Sequence, residues 1–279
     1  IVRITTKGDV VTDAPLHKIG AKGLFIKEIE EALLKGEIDV AVHSLKDLPC
    51  VQAPGLTIGA YLPRENPRDV LVSDRYASLA ELPEGAVVGT GSRRRESQLR
   101  AARPGLSVQP IRGNVETRIK KTFGGGMDAV IIAAAGVLRL GMADKIREYL
   151  PPDLFTPAPG QGVIAAQIRS GDEHAASVLR DANDAAAGLC YAVEREFLLE
   201  TGGGCSLPVG ALCERTGDGA AVLYGYIGDA KGEKIFKETV TLAGLAPTQG
   251  RELAQKLLAA GGREVLLEIG NKANSDNQH

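Results

Sequence analysis

The sequence predicts an α/β protein in three parts: two hinged α/β lobes and a small third α+β domain with an antiparallel sheet. Three observations carry that prediction. Short apolar runs of strand length alternate with amphipathic helical stretches from Ile38 to Ile168, the pattern of strand–helix units. Two Pro-rich breaks, Pro63-Arg64-Glu65-Asn66-Pro67 and Thr156-Pro157-Ala158-Pro159-Gly160, interrupt the series. From Ala185 the style changes to a helix, three strand-like runs and a closing helix. The expected division is 1–63 with 162–182, then 68–156, then 185–270, with a disordered polar tail over 271–279. Two crossings between the first two lobes make a hinge.

In the first part, Ile1–Thr5 reads as a strand and Asp9–Gly20 as a polar loop. Gly23–Gly36 is amphipathic: Phe25, Ile26, Ile29, Leu33 and Leu34 share one side of a helix that Gly36 stops. Ile38–Ser44 is a strand leading into Leu45-Lys46-Asp47-Leu48-Pro49, and Leu56–Leu62 is another. The second series runs Asp69–Ser73, Ala86–Gly89, a helix over Arg93–Arg103 and strand Ser107–Ile111. A helix over Asn114–Phe123, strand Ala129–Ala133 and helical segments to Leu150 complete it. Val163–Ile168 is a strand placed to return to the first sheet. In the third part a helix over 188–200 precedes strands at Pro208–Cys213, Ala221–Ile227 and Ile235–Leu242. A helix over Gln249–Ala260 and an apolar run, Val265–Ile269, follow.

The totals exclude several classes. The 279 residues are 44% hydrophobic and 24% charged with a net charge of −2, so no global field draws nucleic acid or an anionic membrane. Four cysteines without C-x-x-C spacing, and only four histidines, argue against a zinc site or disulfide scaffold and fit reduced thiols in a cytosolic chain. The longest apolar run, Ala129–Leu138, is far short of the ~20 residues of a membrane span. The chain opens in a strand-like run without Met, which suggests a preceding segment.

Chemistry concentrates where strands end, the place where open α/β sheets hold ligands. The strand from Ala86 runs into Thr90-Gly91-Ser92, and Arg93-Arg94-Arg95 open the next helix. A helix N-terminus and two hydroxyls suit an anion, whereas cations in a first turn oppose the helix dipole. Two arginines ~4 Å apart repel by about 4 kcal/mol at an effective dielectric of 20, so Arg94 and Arg95 facing one site require a compensating anion. The pattern recurs: Ser107–Ile111 runs into Arg112-Gly113-Asn114 with Arg118 a turn on, and Arg139 follows the next strand. Arginine grips planar carboxylates bidentately. Arg94, Arg95, Arg112 and Arg118 therefore read as site residues, and Arg93, Arg100 and Arg103 as a solvated helix face. Gly89 and Gly91 lack the third glycine of a dinucleotide fingerprint, and no Gly-Lys-Ser/Thr phosphate loop occurs.

Other residues read two ways. Asp47 is a strand-end carboxylate able to accept cationic N–H groups or move protons, or a loop carboxylate paired with Lys46. His43 lies within its strand and reads as a satisfied core or rim histidine. Lys22, in G-A-K-G-L-F, is an anion contact or a solvated turn lysine. Thr201–Gly210 reads T-G-G-G-C-S-L-P-V-G; its glycines end a helix and Pro208 bars resumption, leaving Cys205 on a loop tip. That thiol is a small hydrophobe after a helix C-cap, or one placed to carry a group.

Taken in order, K-G-D-V, G-A-K-G-L-F-I-K-E, A-V-H-S-L-K-D-L-P, N-P-R-D, G-T-G-S-R-R-R, I-R-G-N-V-E-T-R, P-G-Q-G and G-G-G-C-S-L-P-V-G resemble the porphobilinogen deaminase (hydroxymethylbilane synthase) family along nearly the whole chain. The resemblance implies two periplasmic-binding-protein-like lobes plus the third domain. It implies a cytoplasmic, monomeric transferase of haem and porphyrin biosynthesis that joins four porphobilinogen units into hydroxymethylbilane. It implies a dipyrromethane cofactor held by Cys205 through a thioether, and Asp47 as the catalytic carboxylate. Ser44, Lys46, Thr90, Ser92, Arg94 and Arg95 match cofactor-anchoring positions. Arg112, Arg118 and Arg139 match positions for acetate and propionate arms, and Lys22 and Phe25 lie in the covering segment. The family's leading strand–helix unit with its R-x-S-x-L-A motif does not occur in this sequence, Gln167 stands where a Glu is usual, and Arg93 where a Leu is common. The alternatives are a non-catalytic two-lobed polycarboxylate-binding protein and an inactive homologue lacking its N-terminal unit. Neither nucleic acid nor a membrane is an expected partner, and no metal is.

Overall fold

The computed structural model describes residues 1–4, 26–202, 204, 207–217 and 219–275. In chain order, α1 (Lys27–Leu34), β1 (Ala41–Ser44) and β2 (Leu56–Tyr61) come first. Next are β3 (Asp69–Val72), β4 (Val87–Gly89), α2 (Arg93–Ala102), β5 (Ser107–Gln109), α3 (Val115–Phe123), β6 (Ala129–Ala133), α4 (Ala134–Arg139) and β7 (Ile146–Tyr149). β8 (Ile164–Arg169), α5 (Glu173–Leu179) and α6 (Ala185–Glu200) lead to β9 (Val209–Arg215), β10 (Ala221–Gly228), β11 (Ile235–Leu242), α7 (Thr248–Leu257) and α8 (Arg263–Ser275).

The described strands form three sheets. The first has the order β1-β8-β2, with β8 antiparallel to both neighbours, so the returning strand lies at its centre. The second has the order β5-β4-β6-β3-β7; β4 is parallel to β5 and β6, and β3 is antiparallel to β6 and β7. Parallel neighbours need helical crossovers, which α2 and α3 supply. The carboxyl ends of β4, β5 and β6 therefore share one edge. β3 is buried at all four residues because the sheet carries a core on each face. Leu71, Val88, Leu99, Ile131 and Phe155 belong to one core, and Val70, Val72, Ile119, Val130 and Ile132 to the other.

The third sheet, β11-β10-β9, is wholly antiparallel. Val193 and Phe197 of α6 and Leu253 and Leu257 of α7 cover it against Ala211, Cys213, Leu223 and Ile227. No helix among the described residues is long and apolar enough to cross a membrane.

The chain passes from the first sheet to the second between β2 and β3 and returns between β7 and β8, so the two Pro-rich breaks run side by side. Gly160 and Gly162 make that proximity possible, at φ of +74° and +89°. A Cβ at Gly162 would drive into the carbonyl oxygen of Glu65 on the opposite crossing. Gly162→Ala is expected to cost about 1–3 kcal/mol from conformation alone, with the clash in addition, read as a lowered denaturation midpoint.

The structure departs from the sequence reading in four places. Residues 1–4 carry no strand. Ile146–Tyr149, predicted helical, is a strand because Val70 and Leu71 of β3 pair with Tyr149 and Glu148. A helix not foreseen, α5, starts at Asp172, whose carboxylate accepts from Ala175 N at 2.9 Å. Finally, α8 runs to Ser275, so 271–275 are helical rather than a disordered tail; 276–279 lie outside the described residues.

Candidate active site

Each site residue is placed by a simple local device. β4 delivers Thr90 and Ser92 to the head of α2, where Ser92 is the N-cap and accepts from Arg95 N. Thr90 Oγ1 accepts from Ser92 N at 3.3 Å. Asn114 caps α3 by accepting from Thr117 N at 2.9 Å, and Arg118 then reaches back to donate Nε to Gly113 O at 2.7 Å. In the first sheet, β1 ends at exposed Ser44 and turns at once into a 3-10 turn, Leu45–Asp47. That turn leaves Lys46 half-buried and Asp47 exposed.

A single buried carboxylate organises these groups. Asp69, fully buried at the start of β3, forms an ion pair with Arg94 Nη1 at 2.8 Å through one oxygen. Its other oxygen receives Arg95 Nη2 at 2.8 Å and Nε at 3.0 Å. Gln161 Nε2 donates to that second oxygen at 2.8 Å and to Pro67 O at 2.7 Å. Gln161 Oε1 accepts from Arg95 Nη2 at 3.2 Å and from Lys46 Nζ at 3.4 Å. Arg94 also donates to Thr156 O at 2.6 Å, while its Nε is buried without a hydrogen-bond partner.

The electrostatics follow from crowding cations in low dielectric. Burial pushes the Asp69 carboxyl up, but Arg94 and Arg95 together outweigh it and hold the group well below the usual carboxylate range. Burial, with Arg95 second, brings the Lys46 ammonium down to about 8. Burial and the nearby Arg95 lower Arg118 in the same sense, against the pull of Asp47. Burial likewise leads the lowering of Arg94. Lys46, Arg94 and Arg118 thus each sense Arg95 at the seam between the first and second sheets, with two carboxylates, Asp47 and Asp69, among the four cations. The cluster is two positive charges in excess.

The sequence reading is partly corrected here. The anion that compensates Arg94 and Arg95 is supplied first by the chain itself, through Asp69. The sequence did carry a signal for it: an aspartate opening the otherwise apolar strand D-V-L-V. Arg103 is not merely solvated, since its guanidinium donates to the carbonyls of Leu79, Ala80 and Leu82 and ties down that loop. Arg100 does lie on the helix surface, paired with Glu96 one turn back.

Arg112 follows β5 half-buried on the shared sheet edge. Arg139 is exposed at the end of α4 and donates Nη2 to Gly162 O at 2.7 Å, contacting the returning crossing rather than the cation cluster. His43 shares Nε2 with Gln167 Oε1 at 3.2 Å, a satisfied rim histidine whose pKa burial lowers. Lys22, Phe25 and Cys205 lie outside the described residues. On either side of Cys205, α6 ends at Glu200, Gly202 adopts φ of +63°, and β9 begins at Val209. Cys190 and Cys213 are buried free thiols.

The donor set suits an oligopyrrole bearing several carboxylates. The positive charge is in excess, the unspent Arg94 Nε is a buried donor without an acceptor, and exposed Asp47 offers carboxylate oxygens as acceptors. Cations from two sheets converging on one seam are the donor set that a polycarboxylate calls for.

Comparison with known proteins makes that ligand class specific. Residues 1–177 match the family model described as "Porphobilinogen deaminase, dipyromethane cofactor binding domain", and residues 188–259 match "Porphobilinogen deaminase, C-terminal domain". The porphobilinogen deaminase of Syntrophomonas wolfei is 48% identical over 269 residues, covering 96% of this chain and 88% of the relative. That of Roseiflexus castenholzii is 46% identical over 266 residues, covering 95% and 88%. Among solved structures, a periplasmic substrate-binding protein of an ABC transporter from Coxiella burnetii aligns over 59% of this chain and 79% of its own at 14% identity, with a TM-score of 0.40. The chain belongs to the porphobilinogen deaminase family.

Proposed function

We propose that this chain performs the family's reaction, hydroxymethylbilane synthesis for tetrapyrrole formation, at the seam between its first two sheets. We propose further that Cys205 tethers the dipyrromethane cofactor and that the lobes are 1–63 with 162–182, and 68–156, the tethering domain being 185–270. The observation that carries the reading is the excess of cations around Lys46, Arg94, Arg95 and Arg118 beside the exposed carboxylate of Asp47.

When bound, dipyrromethane supplies the free pyrrole α-carbon that primes the chain. Lys46, Arg94 and Arg95, with the hydroxyls of Ser44, Thr90 and Ser92, hold its acid arms and fix its register. Arg112, Arg118 and Arg139 receive the acetate and propionate of incoming porphobilinogen, with Lys22 and Phe25 covering it. Asp47 accepts the substrate pyrrole N–H and stabilises the positive charge that grows on the ring as ammonia leaves. Each addition would form one carbon–carbon bond as ammonia leaves and the displaced α-proton passes to solvent; hydrolysis of the bond to the primer would then put a proton on the primer carbon and the hydroxyl on the released four-pyrrole product. Orientation contributes as well, because two bound pyrroles replace a bimolecular encounter.

Intact-mass measurement with peptide mapping tests the tether. A mass excess of two linked pyrrole units on the peptide containing Cys205 is expected. A bare Cys205 in protein that also makes no hydroxymethylbilane would favour the polycarboxylate-binding reading instead.

A further inference from the structure

The P-G-Q-G motif contributes a residue that the functional reading leaves without a role. Gln161 is 1% exposed and lies on the returning crossing between two positive-φ glycines. Its carboxamide has two N–H donors and two acceptor lone pairs, and all four are used. The donors go to Pro67 O on the outgoing crossing and to Asp69 at the start of β3. The acceptor takes Arg95 from α2 and Lys46 from the turn after β1. One side chain thereby joins both crossings, the first sheet and the second.

We propose that Gln161 is a positioning residue that sets the distance between Lys46 of the first sheet and the Asp69–Arg95 pair of the second, and so the spacing of carboxylates the seam accepts. The proposal deepens the functional reading and rests on it for the identity of the ligand. Only a carboxamide fills this place. A leucine would take the Gln161 donor from Pro67 O, remove one of the three donors on that Asp69 oxygen and free Lys46 from its acceptor. A glutamate would satisfy the two cations but turn an oxygen toward Asp69 and Pro67 O, both acceptors. The close approach of Leu45 and Lys46 to Gly160 keeps the bracket short: a Cβ there would meet Lys46 N at 3.2 Å.

The groups facing Lys46 are Arg95, Asp47, Asp69 and Arg94, and substitution at 161 changes the charge among them in a predictable direction. Competitive acylation of the full chain, with exposed Lys27 as internal standard, reads Lys46 without any need for turnover. In Q161E the added carboxylate favours the ammonium, and labelling of Lys46 at pH 7 is expected to fall about tenfold for each unit its pKa rises. Q161L gives no such fall. In the turnover assay, Q161L is expected to lower kcat by about tenfold or more with KM changed less than about threefold, because a misplaced anchor spoils alignment while the substrate arginines are untouched.

Unchanged Lys46 labelling in Q161E, or a Q161L variant that loses only KM, would overturn the bracket. Should Q161L not fold, the Q161E labelling decides alone. Wild-type protein that makes no hydroxymethylbilane, while Q161E labels as expected, would sink the functional reading and leave the bracket standing.

Discussion

Cys205→Ser is expected to yield folded protein with no covalent pyrrole mass and no detectable hydroxymethylbilane. A serine hydroxyl is far less nucleophilic than a thiolate and forms no thioether, so the primer has no attachment and the additions have nothing to extend. Asp47→Ala is expected to give the complementary result: loaded or partly loaded protein whose turnover falls by at least about two to three orders of magnitude, the range associated with losing one preorganised electrostatic partner of a developing charge. The pair separates tethering from chemistry. Mass spectrometry reports the first and rate the second. Cys50→Ser is the control, because Cys50 lies outside the cation cluster and its carbonyl, not its sulfur, receives Arg195. Its mass excess and rate should match the unmodified chain. Wild-type rates in either Cys205→Ser or Asp47→Ala would sink the assignment.

What could be read from the sequence, and what could not, divides by range. The start of α2 was legible because the strand from Ala86 runs into Thr90-Gly91-Ser92 and the arginines that follow open a helix, which the structure starts at Arg93. The return of 163–168 to the first sheet was legible from its position after a Pro-rich break. Ile146–Tyr149 was not, because its four residues carry little strand signal and owe their conformation to pairing with β3, far earlier in the chain. The same holds for the site. Strand-end arginines were found by local pattern, and the structure puts three of those strand ends on one edge. Asp69 and Gln161, which decide where Arg94 and Arg95 point, lie 26 and 66 residues from Arg95 in sequence. No window centred on the arginines contains either.

That dependence makes Asp69 the residue whose loss should matter most to stability. Asp69→Asn keeps the shape but leaves Arg94 and Arg95, 3% and 5% exposed, without a counter-charge. Removing one partner of a buried ion pair costs about 3–5 kcal/mol, since the stranded charge cannot recover its hydration. Chemical denaturation is expected to show a loss in that range, and less than ~1 kcal/mol would mean that the arginines find water or another anion. The pH dependence has a definite sign. Asp69 titrates well below the usual carboxylate range when folded, so its contribution is complete above an unfolded value of about 3.9 and is lost as pH falls toward the folded one. The carboxamide of the Asp69→Asn variant does not titrate. The stability gap between the two proteins should therefore be constant from about pH 5 to 6 and narrow on acidification below about 3.9. A polycarboxylate should also stabilise Asp69→Asn more than the unmodified chain, because its acid arms enter an environment with one more uncompensated cation. Equal stabilisation would place the ligand's carboxylates away from Arg94 and Arg95.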